Sequence, residues 1–182
     1  DSIANNADLV VMIGGLARKN AQVTSGGVGR HTMRDALIRA KARGCGFVNI
    51  APLRSDAIPE IEAEWMPVRP GSDTALLLAL MHVVWTEGLA DRDFLARCTH
   101  RLERFLPYLL GETDGEAKTP GWAAPLCGVE PARIAALARR MAAGRTMITV
   151  AWALQRAEHG EPPPSAALAL AAMLGQIGLP GG

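Results

Sequence analysis

The chain has 182 residues, enough for one domain with a sizeable core, and its 19 basic and 18 acidic side chains give a net charge of +1. This balance provides no basic face for nucleic acid, and no stretch reaches the roughly 18 apolar residues that a membrane span needs. Aromatic residues make up only 4%, which favours helix-rich packing, and the distant Cys45, Cys98 and Cys127 predict buried free thiols rather than disulfides or a zinc site.

The first predicted element is an apolar run without alternation, residues 7–13, which is typical of a strand buried on both faces. A glycine-rich loop at residues 24–30 and a helix over residues 32–43 follow. Residues 47–51 form a second buried strand. This order predicts a right-handed strand–helix–strand unit with parallel strands.

Two further strands and six helices are predicted in the rest of the chain. The strands are residues 65–68 and 146–151, and the helices are residues 73–86, 92–98 (capped by Asp91), 102–110, 122–126, 131–143 and 166–174. A run of three prolines, residues 162–164, predicts a local break before the last helix. The fold class is therefore α/β: a helix-rich, Rossmann-like, three-layer domain with a parallel sheet.

The two ends of the sequence also carry information. It opens at Asp1 without an initiator methionine and stops at Leu179-Pro180-Gly181-Gly182. We therefore expect residues 1–182 to be one domain cut from a longer, multidomain protein.

Ligands of an open parallel sheet bind beyond the carboxyl ends of its strands, which places four loops on one rim. These loops are residues 14–20, 51–56, 70–73 and 152–156. Their cations (Lys19, Arg54 and Arg156) suit phosphate, Asn20 and Asp73 suit a base or a ribose, and Gly14, Gly15 and Gly71 allow a close backbone approach. The set predicts a nucleotide-binding surface.

The turn at residues 69–73 is the centre of this prediction. Ser72 or Asp73 is placed to cap the helix that follows, and Gly71 leaves its backbone N–H groups accessible. The carboxylate of Asp73 disfavours phosphate and suits hydrogen-bond donors, such as a ribose hydroxyl or the N1–H and N2–H edge of guanine. A capped helix with no ligand is the alternative for this turn taken alone.

Other patterns have simpler explanations than function. Arg54 and Arg156 taken singly are also typical of solvated surface cations, and the glycines at 26–29 match a dinucleotide fingerprint only loosely. The histidines lack metal-ligand spacing, His82 is expected in the core, and Trp65, Trp85 and Trp122 are expected to pack. We expect no catalytic residue and no metal ligand within this chain.

At these loops the chain resembles the molybdopterin oxidoreductases of the dimethyl sulfoxide reductase family, in particular the biotin sulfoxide reductase and trimethylamine N-oxide reductase branch. The stretches that carry the resemblance are RPGSD (69–73), DRDFLARC (91–98), RFLPYLLG (104–111), WALQRAEHGE (152–161) and LAAMLGQIGLPGG (170–182). The resemblance extends over essentially the whole chain.

The resemblance implies a bis(molybdopterin guanine dinucleotide)molybdenum cofactor, of which this domain would hold one guanine dinucleotide. It implies oxygen-atom transfer from a small-molecule S-oxide or N-oxide substrate. The residues that match the family's cofactor contacts are Lys19 and Asn20, then Ala51, Pro52 and Arg54, then Gly71, Ser72 and Asp73, and last Trp152, Gln155 and Arg156.

The resemblance places the metal centre outside this chain, with a molybdenum-ligating serine expected upstream of Asp1. The implied partners are the remaining domains of the same protein and an electron donor, either a protein or reduced nicotinamide; neither nucleic acid nor a membrane span is expected. A cytoplasmic location is favoured for a member like biotin sulfoxide reductase, and a periplasmic one stays open.

The chain departs from the family pattern at two places. Residues 162–165 read Pro-Pro-Pro-Ser where the branch carries an aromatic pair, and the first loop lacks the commoner Asn-Pro form. The change at residues 162–165, together with the absence of the expected metal ligand from this chain, supports an alternative, a catalytically silent α/β module retained for packing or assembly. A nicotinamide-dependent dehydrogenase is a third, weaker hypothesis that rests on the glycine cluster.

Overall fold

The computed structural model describes residues 2–17 and 31–182, whose strands form one parallel sheet. The strands are β1 (Leu9–Ile13), β2 (Gly46–Ile50), β3 (Glu64–Met66) and β4 (Thr146–Val150), in the order β3-β2-β1-β4. All three strand pairs are parallel, which confirms the predicted sheet. The third strand ends at Met66, two residues earlier than predicted.

Within the described residues, eight α-helices surround the sheet. They are α1 (Ser2–Asn6), α2 (Met33–Ala42), α3 (Asp73–Thr86), α4 (Arg92–Cys98), α5 (Leu102–Leu109), α6 (Pro120–Cys127), α7 (Pro131–Ala142) and α8 (Pro162–Met173). Single 3₁₀ turns lie at Arg54–Asp56, Pro59–Ile61 and Trp152–Arg156. In this part of the chain, no helix has the length and apolar character needed to cross a bilayer. All but α1 correspond to predicted helices.

Two hydrophobic cores lie on opposite faces of the sheet. Val11 and Ile13 of β1 contribute to the larger core, which includes buried residues of α3, α7 and α8. Val10 and Met12 point the other way, into a smaller core with Leu37 and Ala40 of α2. The alternation of side chains along β1 therefore serves two helix layers, and the three-layer architecture is confirmed.

Helix α3 is the central element of the larger core. It is apolar on nearly all sides because it packs against α6, α7 and α8. Fully burying a leucine side chain contributes about 1.5–3 kcal/mol, and α3 buries four of them, Leu76, Leu77, Leu78 and Leu80. His82 is only half-buried, and burial lowers its pKa. This packing fixes the position at which α3 begins on the rim.

The proline run does not break the chain, contrary to the prediction. Helix α8 begins at Pro162, four residues earlier than expected, and Pro163 is buried. The first residues of a helix have no intrahelical use for their N–H groups, so prolines fit there without losing a hydrogen bond. The local helix start is therefore intact.

The prediction of three buried thiols is wrong for one of them. Cys45 and Cys127 are buried, but Cys98 is exposed at the end of α4. Helix α4 is short and leaves one face in solvent, with only Leu95 buried. Its predicted cap is confirmed, since Asp91 Oδ1 accepts a 2.8 Å hydrogen bond from the Phe94 N–H.

Strand β3 lies at one edge of the sheet and is covered by α7. The Arg133 guanidinium donates to the Trp65 carbonyl at 3.1 Å and to Glu64 Oε1 at 3.4 Å. Arg140 donates to the other oxygen of Glu64 at 2.9 Å. Two arginines of one helix therefore occupy the outer side of this edge.

Candidate cofactor-binding site

The carboxyl ends of the four strands meet at one rim, as the parallel register requires. The chain segments that leave β1, β2 and β4 are joined directly by backbone hydrogen bonds. Ala151 N–H donates to the Ile13 carbonyl at 2.8 Å, Gly14 N–H to Ile50 at 2.8 Å, and Leu16 N–H to Asp56 at 2.6 Å. These three loops form one interlocked surface.

Gly14 and Gly15 serve this interlocking rather than ligand approach, which corrects their predicted role. Both have positive φ, +81° and +79°. A Cβ on Gly14 would overlap the Leu154 side chain and lie 2.7 Å from Ala151 Cβ, and one on Gly15 would lie 2.5 Å from the Asp56 carbonyl oxygen. Neighbouring loops of the protein fill the space beside both glycines.

The turn between β3 and α3 has a different character. Gly71 also has positive φ, +81°, but no described atom lies within 4 Å of the position where its Cβ would be. Arg69 anchors this turn to α6: its N–H donates to the Cys127 carbonyl at 3.0 Å, and its guanidinium donates to the Pro125 carbonyl. The turn is therefore fixed to α6 through Arg69 and is open at Gly71.

Neither side chain of this turn caps α3, although a side-chain cap was predicted. Ser72 occupies the cap position, but its hydroxyl donates to the Arg69 carbonyl at 2.6 Å. Asp73 is the first residue of the helix and is only 8% exposed. Burial raises the pKa of its carboxyl, and a hydrogen bond from its own backbone N–H opposes this. Within the described residues its carboxylate has no partner from another residue.

The loop after β2 combines a fixed backbone with an outward-facing cation. The buried Ala51 accepts a 2.9 Å hydrogen bond from the Trp65 indole N–H, so this tryptophan has a polar role in addition to packing. Pro52 and Arg54 are exposed. Arg54 has no side-chain partner in the described part of the chain, so its guanidinium is available to an anion.

The 3₁₀ turn after β4 exposes three of the predicted site residues. Trp152 is 75% exposed, and Gln155 and Arg156 also face solvent. Leu154 points the other way and packs against Gly14. An exposed indole beside an exposed guanidinium offers a stacking surface and a phosphate partner on one turn.

Two predicted contacts, Lys19 and Asn20, lie outside the described residues. The structure brings the remaining loops to one rim, with the open Gly71 and the buried Asp73 on the β3 side and two unpartnered arginines on the others. This donor and acceptor set fits a nucleotide that carries both a base and a pyrophosphate. A cluster of three metal-ligating side chains does not occur in the described ranges.

A separate cleft of about 620 Å³ lies at the opposite end of the sheet. Its lining includes Asp8, Asp91, Arg145 and Gln176. Asp8 and Gln176 are engaged with backbone there: Asp8 accepts from the Arg145 N–H at 2.8 Å, and Gln176 Nε2 donates to the Gly144 carbonyl at 2.8 Å. The cleft is remote from the rim and is no part of the candidate site.

Comparison with known proteins agrees with this arrangement. A family model described as molybdopterin oxidoreductase matches residues 2–182. The chain belongs to the molybdopterin oxidoreductase family. That family implies a molybdenum–molybdopterin cofactor.

Several relatives are reductases of S-oxides or N-oxides. The chain is 45% identical over 182 residues to the biotin sulfoxide reductase of Cereibacter sphaeroides, which is 100% of this chain and 24% of that protein. It is 37% identical over 180 residues to the dimethyl sulfoxide/trimethylamine N-oxide reductase of Rhodobacter capsulatus, or 99% of this chain and 22% of the relative. The chain thus spans about a quarter of the length of these relatives.

A solved structure supports the fold. Acetylene hydratase from Pelobacter acetylenicus superposes with a TM-score of 0.71 over 96% of this chain and 22% of its own, at 20% identity. At this identity the likeness concerns the fold alone.

Sequence reasoning missed two polar residues near the rim, the buried Asn49 and the half-buried Thr149. Asn49 and Thr149 are the register partners of Met12 on its two sides, so all three share one row of the sheet. Asn49 Oδ1 and Thr149 Oγ1 are buried without a hydrogen-bond partner. The signal in the sequence was a polar residue inside each apolar strand, at its fourth position.

Proposed function

We propose that this domain holds one guanine dinucleotide of a bis(molybdopterin guanine dinucleotide)molybdenum cofactor in an S-oxide or N-oxide reductase. The observation that carries the proposal is the carboxylate of Asp73, which is only 8% exposed and has no partner from another described residue, beside the open turn at Gly71. A buried carboxylate without a partner is costly, and paired N–H donors of a guanine edge offset that cost when they bind.

The residues of the rim divide the cofactor between them. Asp73 accepts from the guanine, Gly71 and Ser72 bring backbone close to the nucleoside, and Arg54 and Arg156 face the pyrophosphate. Trp152 and Gln155 lie toward the pterin, with Ala51 and Pro52 forming the floor of the second loop. Lys19 and Asn20 are proposed as contacts from the first loop.

The chain's own residues bind and orient, and none transfers a proton or an oxygen atom. With the cofactor bound, the molybdenum centre would supply two-electron oxygen-atom transfer from an S-oxide or N-oxide. The relatives named biotin sulfoxide reductase and dimethyl sulfoxide/trimethylamine N-oxide reductase support this substrate class. Helix α8 starts at Pro162, so the proline run does not disrupt the helix start, and the silent module stays an alternative that the test below distinguishes.

The test uses the full-length protein with the isosteric change Asp73→Asn. We expect wild-type protein to contain about one molybdenum per chain and to release guanine nucleotide on acid denaturation. The variant should retain at least tenfold less nucleotide after gel filtration, because an amide presents only one acceptor to the guanine edge.

The matched control is Asp35→Asn, which changes an exposed carboxylate in the first turn of α2. This control should retain nucleotide as wild type does. Absence of molybdenum from wild-type protein, or equal retention by Asp73→Asn and Asp35→Asn, would contradict the proposal.

A further inference from the structure

A buried side chain beneath the rim holds the loop after β2 in its observed shape. Asn49 lies one residue before the end of β2 and is only 1% exposed. Its Nδ2 donates to the carbonyl of Leu53 at 3.4 Å and to that of Arg54 at 3.5 Å. One amide group thus reaches two consecutive carbonyls of the loop that carries Arg54.

The two hydrogen bonds are long, and burying the polar side chain of Asn49 costs free energy. Asn49 Oδ1 has no partner, so the side chain buries an unsatisfied acceptor in a row that it shares with Trp65, Met12 and Thr149. A leucine of similar volume would avoid that cost if burial were the only requirement. The only polar side-chain atom of Asn49 with partners in the described structure is Nδ2, and both of its partners belong to the loop.

Other contacts tie the two ends of the same loop to neighbouring segments, and within the loop the Asp56 N–H donates to the Leu53 carbonyl at 3.2 Å. The Trp65 indole N–H fixes the Ala51 carbonyl at one end, and the Leu16 N–H fixes the Asp56 carbonyl at the other. Between them Pro52 and Leu53 are exposed. The contacts of Asn49 are therefore the side-chain link between the sheet and the segment that presents Arg54.

We infer that Asn49 is a positioning residue of the rim, which holds the loop of residues 51–56 so that the Arg54 guanidinium faces the anionic part of the cofactor. The role of Asn49 in holding the loop follows from its contacts, whereas the orientation of Arg54 toward the cofactor rests on the proposed function. The experiment tests these two claims separately.

The experiment measures amide hydrogen exchange in the cofactor-free, full-length protein by mass spectrometry, corrected for intrinsic exchange rates at each pH. The Leu16 and Asp56 amides report loop closure, since both are hydrogen-bonded within it. Asn49→Leu should lower the protection of these amides about tenfold, because the Arg54 carbonyl loses its donor and the Leu53 carbonyl keeps only the Asp56 N–H. Thr149→Val, in the same row, removes a hydroxyl without a partner and should change their protection less than twofold.

Asn49→Asp supplies a readout that a packing role would not give. A protonated carboxyl still donates to a loop carbonyl, whereas a carboxylate repels it, and burial raises the pKa of such an acid. The charged side chains of the contacted loop are Arg54, which is exposed, and Asp56, which is half-buried. Protection in this variant should approach wild type near pH 5 and fall about tenfold near pH 8, while Asn49→Leu shows no such pH dependence.

The outcomes separate the effect of Asn49 on the loop from the effect of Arg54 on cofactor binding. Protection of Leu16 and Asp56 within twofold of wild type in Asn49→Leu, or no pH dependence in Asn49→Asp, overturns the positioning role. If Asn49→Leu does not fold, as judged by its melting curve, the pH series of Asn49→Asp decides. Loop opening without loss of guanine nucleotide from the cofactor-loaded Asn49→Leu protein would overturn the link to Arg54 and leave the loop result standing.

Discussion

The two sides of the rim resemble each other in sequence and differ in structure. Gly14 directly follows β1, Gly71 lies in the turn that follows β3, and both have a φ of +81°. Gly14 is packed under Leu154 and Ala151 of the neighbouring loop, whereas Gly71 faces open space. A glycine at a strand end thus indicates either contact between loops or access for a ligand, and only the neighbouring loop decides which.

The largest expected effect tests the difference between Gly14 and Gly71 directly. Gly14→Ala adds a methyl group that collides with Leu154 in addition to the cost of a positive φ, so we expect a loss of about 3 kcal/mol in unfolding free energy. Gly71→Ala has the φ cost alone and should lose about 1 kcal/mol. Urea unfolding of the full-length protein measures both. Equal losses would mean that the two sides of the rim do not differ in packing.

An effect of intermediate size is expected at Asp73, on the open side of the rim next to Gly71. Asp73→Asn should stabilise the cofactor-free protein by about 1 kcal/mol near neutral pH, because it removes a buried charge that no other described residue pairs with. The pKa of Asp73 is raised in the folded state, so the unfolded chain releases this proton first and wild-type stability falls as pH rises through that interval. At roughly pH 3, below the ordinary pKa of an aspartate, the advantage of Asn should disappear.

Urea midpoints of wild type and Asp73→Asn across this pH range measure the effect. An advantage of Asn that grows as pH falls would contradict the raised pKa. The same substitution is expected to weaken nucleotide retention, so stability and binding should move in opposite directions at this residue.

The smallest effect compares two helix starts. Asp91 accepts from the Phe94 N–H and truly caps α4, so Asp91→Ala should cost about 1 kcal/mol. Ser72 donates to the Arg69 carbonyl within its turn and accepts no hydrogen bond from α3, so Ser72→Ala should cost about 0.5 kcal/mol. Thermal unfolding of the cofactor-free variants measures the difference. A larger loss for Ser72→Ala would show that this serine does cap the helix.

The architecture was largely predictable because β1 is a fully apolar run and most residues of β2 and β4 are apolar without alternation. Such runs require cover on both faces, and that requirement led to the parallel sheet and to the rim where its loops meet. Helix α1 was missed because only Ala4 of its five residues is buried, which leaves no periodic pattern to detect. The start of α8 was missed because prolines were taken as breakers, although the first turn of a helix accepts them.

The site was predictable as a set of loops and less so as a set of contacts. Arg54, Arg156 and Asp73 could be selected by charge and position. The partners of Gly14, Gly15 and Asn49 belong to other loops, and nothing within the local sequence states that Leu154 or Asp56 lies beside a given glycine. The missing information is tertiary, since it depends on how far each loop folds back over the sheet.

The two arginines of α7 that cover β3 have a consequence for assembly. A strand only three residues long, with its Trp65 carbonyl already occupied by Arg133, is a poor template for a further strand. Side chains of the same domain therefore close this edge of the sheet, which disfavours pairing of a further strand with β3 and edge-to-edge association on that side.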